Sequence, residues 1–255
     1  MFDNRAGAPL EVRDALGQLG SRGIPTPGAV TEALAVLRRV EAAEPAAVDP
    51  QAIRRAYLAG ADQTEIDRLL LADLGATRLR SEWAQGRIGA AVAVLTALRE
   101  SAAEIYPALR EQAAQAVKTL QAVAELDAGA TVDGLVRGGR VEDAKLLAGA
   151  EEVAAELNRL YQFRDQYLLG GGLRSVAVNG FDCSRWRDPV SAAKYARGQT
   201  PADQYVAGLR EGCELWYPTG AEARAAAQEL ANAAAKAAER KRKQEHGTGA
   251  SFVGW

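Results

Sequence analysis

Residues 88–126 read IGAAVAVLTALRESAAEIYPALREQAAQAVKTLQAVAEL, and their apolar positions decide the fold. Ile88, Val92, Leu95, Leu98, Ala102, Ile105, Leu109, Ala113, Ala116, Leu120, Val123 and Leu126 follow one another by threes and fours. Such spacing lays a single apolar seam along a helix, and its mean of about 3.5 is the period of left-handed coiled coils. At ~1.5 Å per residue the segment is roughly 58 Å long. Ala102, Ala113 and Ala116 let a partner helix approach closely. Pro107 lies inside the pattern. It is expected to kink or split the helix, because proline removes a ladder bond and its ring clashes with the preceding turn.

Downstream, Asp127-Ala128-Gly129-Ala130-Thr131 stops this rod and Gly138-Gly139 marks a second break. A return rod carries Val141, Leu146, Ala150, Val153, Leu157, Leu160, Phe163 and Tyr167, and ends at Gly170-Gly171-Gly172, read as a hinge. A short connection forces antiparallel neighbours, so the pair is an antiparallel hairpin. Leu109, Leu120 and Leu157 are expected inside it, with Arg110 and Gln121 outside. The return rod, roughly 42 Å long, is shorter than its partner. The overhang at 88–98 then needs a cover, either short helices within 50–74 or a second copy of the chain.

Upstream, residues 1–25 read as an irregular arm with one short helix near 10–19, since Gly7, Gly17, Gly20 and Gly23 interrupt it. Helix-start chemistry follows at Thr26-Pro27, with Pro45 closing that helix, and at Asp49-Pro50 with a stop near Gly60. It recurs at Asp188-Pro189, stopping near Gly198, and at Thr200-Pro201, stopping near Gly212. Residues 173–218 hold both cysteines, Trp186 and Trp216. Within them Ser175-Val176-Ala177-Val178 and Asn179-Gly180 give a strand-and-turn signal. The expected fold is all-α: a long antiparallel, coiled-coil-like hairpin with short flanking helices and at most a small β-hairpin near 175–183. Its segments are an arm at 1–25, short helices at 26–74, the rod at 78–169, a compact aromatic lobe at 173–218, and a basic helix and tail at 219–255.

Composition agrees. The 255 residues are 48% hydrophobic and 25% charged, with a formal net charge of −2. That apolar content exceeds what a disordered chain carries. No run approaches the ~18–20 apolar residues of a membrane span. Met1-Phe2-Asp3-Asn4-Arg5 opens no signal-peptide stretch, so a cytoplasmic location is expected. The slight acidity argues against a globally basic nucleic-acid binder. Cys183 and Cys213 are too few for a disulfide framework; one disulfide between them is open, but two buried reduced thiols are the expected reading, because a cytoplasm keeps thiols reduced.

Few residues announce chemistry. The single histidine, His246, stands in the basic tail, which disfavours a His-based triad. Zinc-type Cys and His spacings do not occur. Glu151, Glu152 and Glu156 lack the Glu-x-x-His element of di-metal bundles and read as a solvated face. No phosphate loop is present, and no catalytic residue, metal ligand or cofactor is assigned.

Residues 63–85 fit a helix-turn-helix in outline, with Gly75 as the turn and Arg78 and Arg80 on the second helix. The acidic neighbours Asp62, Asp67, Asp73 and Glu82 oppose phosphate binding. Tyr161 and Asp165 have the Tyr-x-x-x-Asp spacing found after helical hairpins in type VII secretion substrates. Trp83-Ala84-Gln85-Gly86 is not the Trp-x-Gly bend that accompanies it, so the spacing identifies no family. In profile alone, the rods, few aromatics and basic end are similar to viral and phage scaffolding and assembly factors.

The expected function is therefore a non-enzymatic interaction or assembly protein. Its candidate interaction residues are Arg240, Lys241, Arg242 and Lys243, with Phe252 and Trp255 in the tail. The expected partner is protein, a second copy of the chain included, and no membrane. The alternative is a nucleic-acid-associated factor using 63–85 or 240–243, and behind it an enzyme with a carboxylate-based site.

Overall fold

A computed structural model describes residues 6–46, 49, 51–169, 177–178, 181–187 and 200–247. Helices account for 78% of the described residues, so the fold is all-α. The chain divides into two compact units, residues 1–105 and 106–255.

In the first unit, α1 (Ala8–Ser21), α2 (Gly28–Ala42) and α3 (Ala52–Leu58) pack on α4 (Gln63–Glu100). The expected irregular arm is thus mostly helix. Gly17 and Gly20 lie inside α1, which buries Ala8, Val12, Ala15 and Leu19 along one face. That burial outweighs the ~1 kcal/mol a helical glycine costs relative to alanine. Gly23 is the true stop. It adopts φ of 67°, and the next amide, of Ile24, donates to the Leu19 carbonyl at 3.0 Å. This six-to-one closure satisfies a carbonyl left over at the helix end. The same closure ends three other helices, at Gly60, Gly139 and Gly212.

The long α4 starts where Asp62 accepts a hydrogen bond from the Glu65 amide at 2.9 Å. Its 38 residues make a helix of about 57 Å. Ala90, Ala91, Val94, Leu95 and Leu98 are buried, and Trp83 Nε1 donates to the Val40 carbonyl of α2 at 2.7 Å. The region 88–98 is therefore no overhang of a rod. It belongs to α4, and α1 and α2 pack on that helix together with α3, the one short helix within 50–74 that stands apart from α4. The helix-turn-helix reading also falls. Residues 63–85 form one uninterrupted helix through Gly75, and a single glycine does not break a helix capped and packed this well.

The rod breaks at Ser101, six residues before Pro107, and a second helix, α5 (Ala102–Ala124), begins there. Pro107 stays inside α5 without splitting it. It and Ala103, whose carbonyl loses its helical donor, are both exposed, so water replaces the missing bond. The break removes the mismatch in rod length. α5 and the return helix α7 (Val141–Phe163) each have 23 residues.

In the second unit, α5 and α7 form the antiparallel hairpin, joined through α6 (Val132–Arg137). Thr131 caps α6, accepting from the Gly134 amide at 3.1 Å. Leu126, Leu135 and Ala144 fill the bend, with Ala130 and Leu147 against them. Val141, expected on the seam, is exposed, and the buried stripe of α7 starts at Ala144. Beyond α7 the helix widens into a π-helical turn, Arg164–Leu168. Two short antiparallel ladders follow: β1 (Ala177–Val178) with β2 (Phe181–Asp182), and β3 (Trp186–Arg187) with β4 (Glu214–Leu215).

Between β3 and β4 lies α8 (Pro201–Arg210), opened by a capping box of Thr200 and Asp203. Arg210 ends α8 and donates to the carbonyls of Ala124 and Leu126, closing the end of α5. Cys183 and Cys213 are buried free thiols. The expected helix at 188–198, the glycine hinge at 170–172 and the turn Asn179-Gly180 lie outside the described residues.

Leu109, Leu120 and Leu157 are fully buried. Truncating any of them to alanine is expected to cost ~2–5 kcal/mol, the range for a buried leucine that leaves a cavity. Gln121→Ala, at an exposed position, should stay within ~0.5 kcal/mol of wild type in the same denaturant titration. Arg110 is not a neutral comparison, because it donates to the Tyr217 carbonyl and to Glu222.

Candidate functional site

The basic residues expected to interact sit on the last helix, α9 (Gly220–Gly247). Its start is firmly fixed. Thr219 and Glu222 exchange hydrogen bonds as a capping box, and Arg110 Nη2 donates to Glu222 Oε2 at 2.6 Å. The Thr219 amide, foremost, holds the Glu222 carboxyl below the usual carboxylate range. Ala223 is buried, but every residue from 231 to 244 is exposed. Alanine propensity sustains the helix there without a packed face. Arg240, Lys241, Arg242 and Lys243 are thus presented to solvent, with Lys243 paired to Glu239 at 2.7 Å. Phe252 and Trp255 lie outside the described residues.

A second surface was missed by reading the sequence. On α4, Leu71 is 70% exposed, Leu74 65% and Leu70 39%. Counting about 100° per residue, Leu70, Leu74, Asp67, Arg78 and Leu71 lie in that order across an arc of about 100°, with Leu70 at its edge beside the buried Ile66 and Leu95, and Leu71 farthest from the core. Both flanking charges are exposed. Asp67 accepts from Gln63 at 2.8 Å, and Arg78 pairs with Glu82 at 2.6 Å. Nearby on α3, Tyr57 and Leu58 are exposed as well. The signal was present as the run Leu69-Leu70-Leu71 and Leu74, but an apolar run alone does not say which side is covered.

The densest chemistry is buried. Arg164, fully buried, donates through Nε to Asp165 at 2.7 Å and through Nη1 to the Ser184 carbonyl at 2.8 Å. Its guanidinium carbon lies 5.1 Å from the ring centres of both Tyr161 and Tyr217. These two rings stack at 5.6 Å, and Tyr106 approaches Tyr217 at 6.1 Å. Arg185 lies over Tyr161 and donates to Asn158 at 3.1 Å, and Tyr205 donates to the same Asn158 oxygen. Burial raises the phenols of Tyr161 and Tyr205, and pushes that of Tyr106 up to about 12. These hydroxyls stay protonated at neutral pH, and those of Tyr161 and Tyr205 donate hydrogen bonds. Tyr161 donates to the Trp216 carbonyl, and Tyr217 donates to the Leu160 carbonyl.

The cluster ties the loops at 182–187 and 214–218 to α7. Tyr161 and Asp165, the two residues of the Tyr-x-x-x-Asp spacing, are both used inside it. Elsewhere, Glu152 and Glu156 bond Arg159, and Glu151 accepts from the Ala202 amide. Among the described residues no group of three His, Cys, Asp or Glu side chains is arranged to hold a metal ion. Nor is any described helix long and apolar enough to cross a membrane. No protein-family model matches the chain, and neither a curated protein nor a solved structure matches it.

Arg164→Ala is expected to destabilise the protein by ~3–5 kcal/mol, because it leaves the Ser184 and Pro218 carbonyls and the Asp165 charge without their donor. Arg164→Lys should recover only part of this, since lysine lacks the planar fork that meets Asp165 and Ser184 together. Denaturant unfolding followed by tryptophan fluorescence would report the loss, with Trp216 and Trp186 in the same lobe. Wild-type stability in Arg164→Ala would refute the locking role.

Proposed function

We propose that the protein is a non-enzymatic helical interaction or assembly protein of a cytoplasm, scaffold-like, whose partner is protein. The observation that carries this reading is the leucine stripe on α4, Leu70, Leu71 and Leu74. Exposed leucines scattered singly are ordinary, but a contiguous stripe rimmed by charge marks an interaction surface. The placement of the best-formed polar cluster adds support. Arg164 and its tyrosines are consumed in holding the lobe together, so that cluster offers no reactive group to a substrate.

A photoreactive amino acid placed at Leu71, with another at exposed Glu111 as control, tests the reading in the cells that make the protein. The expected result is a covalent adduct with polypeptide at position 71 well above that at 111. Equal labelling at the two positions would sink it.

A second reading, a nucleic-acid-associated factor, is supported by α9 alone, where Arg240, Lys241, Arg242 and Lys243 stand exposed on an otherwise unpacked helix. Such binding would rest on phosphate contacts and weaken steeply with salt. Removing residues 240–255 should then abolish retention on a polyanion column. Unchanged retention, or none by the intact protein, returns these cations to their ordinary role at a helix C-terminus, offsetting exposed carbonyls.

A further inference from the structure

We infer that the exposed stripe of α4 pairs with the same stripe of a second copy of the chain, the two helices running antiparallel. This rests on the interaction reading above and names its partner. The argument is charge order. Along the stripe, Asp67 comes first, then Leu70, Leu71 and Leu74, then Arg78. Asp67 and Arg78 are equally far from the midpoint between residues 72 and 73, and so are Leu71 and Leu74. A two-fold axis at that midpoint places Asp67 of each chain against Arg78 of the other. It also places Leu71 against Leu74. Closed two-fold pairing requires such self-complementarity, in which i meets j and j meets i. A parallel pairing would set Asp67 on Asp67 and Arg78 on Arg78.

Both charges are held only by exposed neighbours on the same helix, Asp67 by Gln63 and Arg78, itself 77% exposed, by Glu82. Surface pairs of that kind are worth at most ~1 kcal/mol and exchange readily.

Sedimentation velocity on the full chain over a wide concentration range is the test. Wild type should move between monomer and dimer. Asp67→Arg and Arg78→Asp should each weaken dimerisation about tenfold, since each turns two attractive contacts into repulsive ones. An equimolar mixture of these two variants should associate again, because every cross-chain pair becomes opposite in sign. The double variant Asp67→Arg/Arg78→Asp should dimerise like wild type. Leu71→Glu/Leu74→Glu should be monomeric with an unchanged circular dichroism spectrum, and its melt should match that of wild type diluted to the monomer, which separates lost pairing from lost folding.

A monomeric wild type at every concentration overturns the proposal, as does a mixture that associates no better than its components. If position 71 crosslinks to a different polypeptide while the chain sediments as a monomer, the second-copy proposal fails and the interaction reading stands. If position 71 labels no better than 111, the interaction reading itself fails.

Discussion

A helix built largely of alanine buries little apolar area per turn, and this limit governs which faces of the protein are covered. Alanine is roughly a fifth of the chain, well above ordinary usage. At ~25 cal/mol per Å² of buried apolar surface, a helix face of alanines alone contributes too little to hold a partner. Large apolar residues are therefore concentrated where two helices meet. Val94, Leu95 and Leu98 line the packed half of α4, and Leu109, Leu120, Leu157 and Leu160 line the hairpin. Where such residues run out, packing stops. The C-terminal part of α9 has no face to bury and stands exposed, kept helical by propensity.

The lobe meets the same limit differently. It has few aliphatic residues and relies on rings and one buried cation. Burying a guanidinium is costly unless its charge and donors are met. Here a carboxylate, the Ser184 carbonyl and two tyrosine rings meet it together. Asp165 and Tyr161 are neighbours of Arg164 at the end of α7, but Ser184 and Tyr217 come from distant segments, so the arrangement forms only when α7, the turn at 182–185 and the strap at 216–218 are all in place. Arg164 thus specifies the position of the lobe more than it adds to stability. The π-helical turn that starts at Arg164 belongs to this: an i to i+5 bond from Leu169 to the Arg164 carbonyl shifts the side-chain register just where the cation must point inward.

Local rules were legible in the sequence, and tertiary choices were not. The stops at Gly60, Gly139 and Gly212 and the start at Thr200-Pro201 follow from cap chemistry, which depends on a few neighbouring residues. The seam leucines were legible because periodicity survives whichever helix acts as cover. The break at Ser101 was hidden, since the apolar spacing runs through it without a change of phase and Pro107 looked the stronger breaker. Gly17, Gly20 and Gly75 read as interruptions because propensity is weighed residue by residue. Inside α1 packing overrides it, and inside α4 the helix simply continues. Only the Tyr161–Asp165 spacing of the Arg164 cluster left a local trace, because its other members are far apart in the chain, 54 positions from Arg164 to Pro218 and 57 from Leu160 to Tyr217.

The exposed stripe on α4 is the part of the molecule that the fold does not explain. Leucine has nearly the same helix propensity as lysine, glutamate, glutamine or arginine, so propensity does not call for three leucines within two turns. Intramolecular packing does not call for them either, since Leu71 and Leu74 keep most of their surface in water. A chain selected only to fold and stay in solution would place polar residues at these positions, as α4 does on the same arc at Asp67 and Arg78. The cost of leaving leucines in water is met when another surface covers them. In the proposed pairing, the charges at the two ends of the stripe set the direction of the covering helix, which apolar contact alone, being non-directional, does not do.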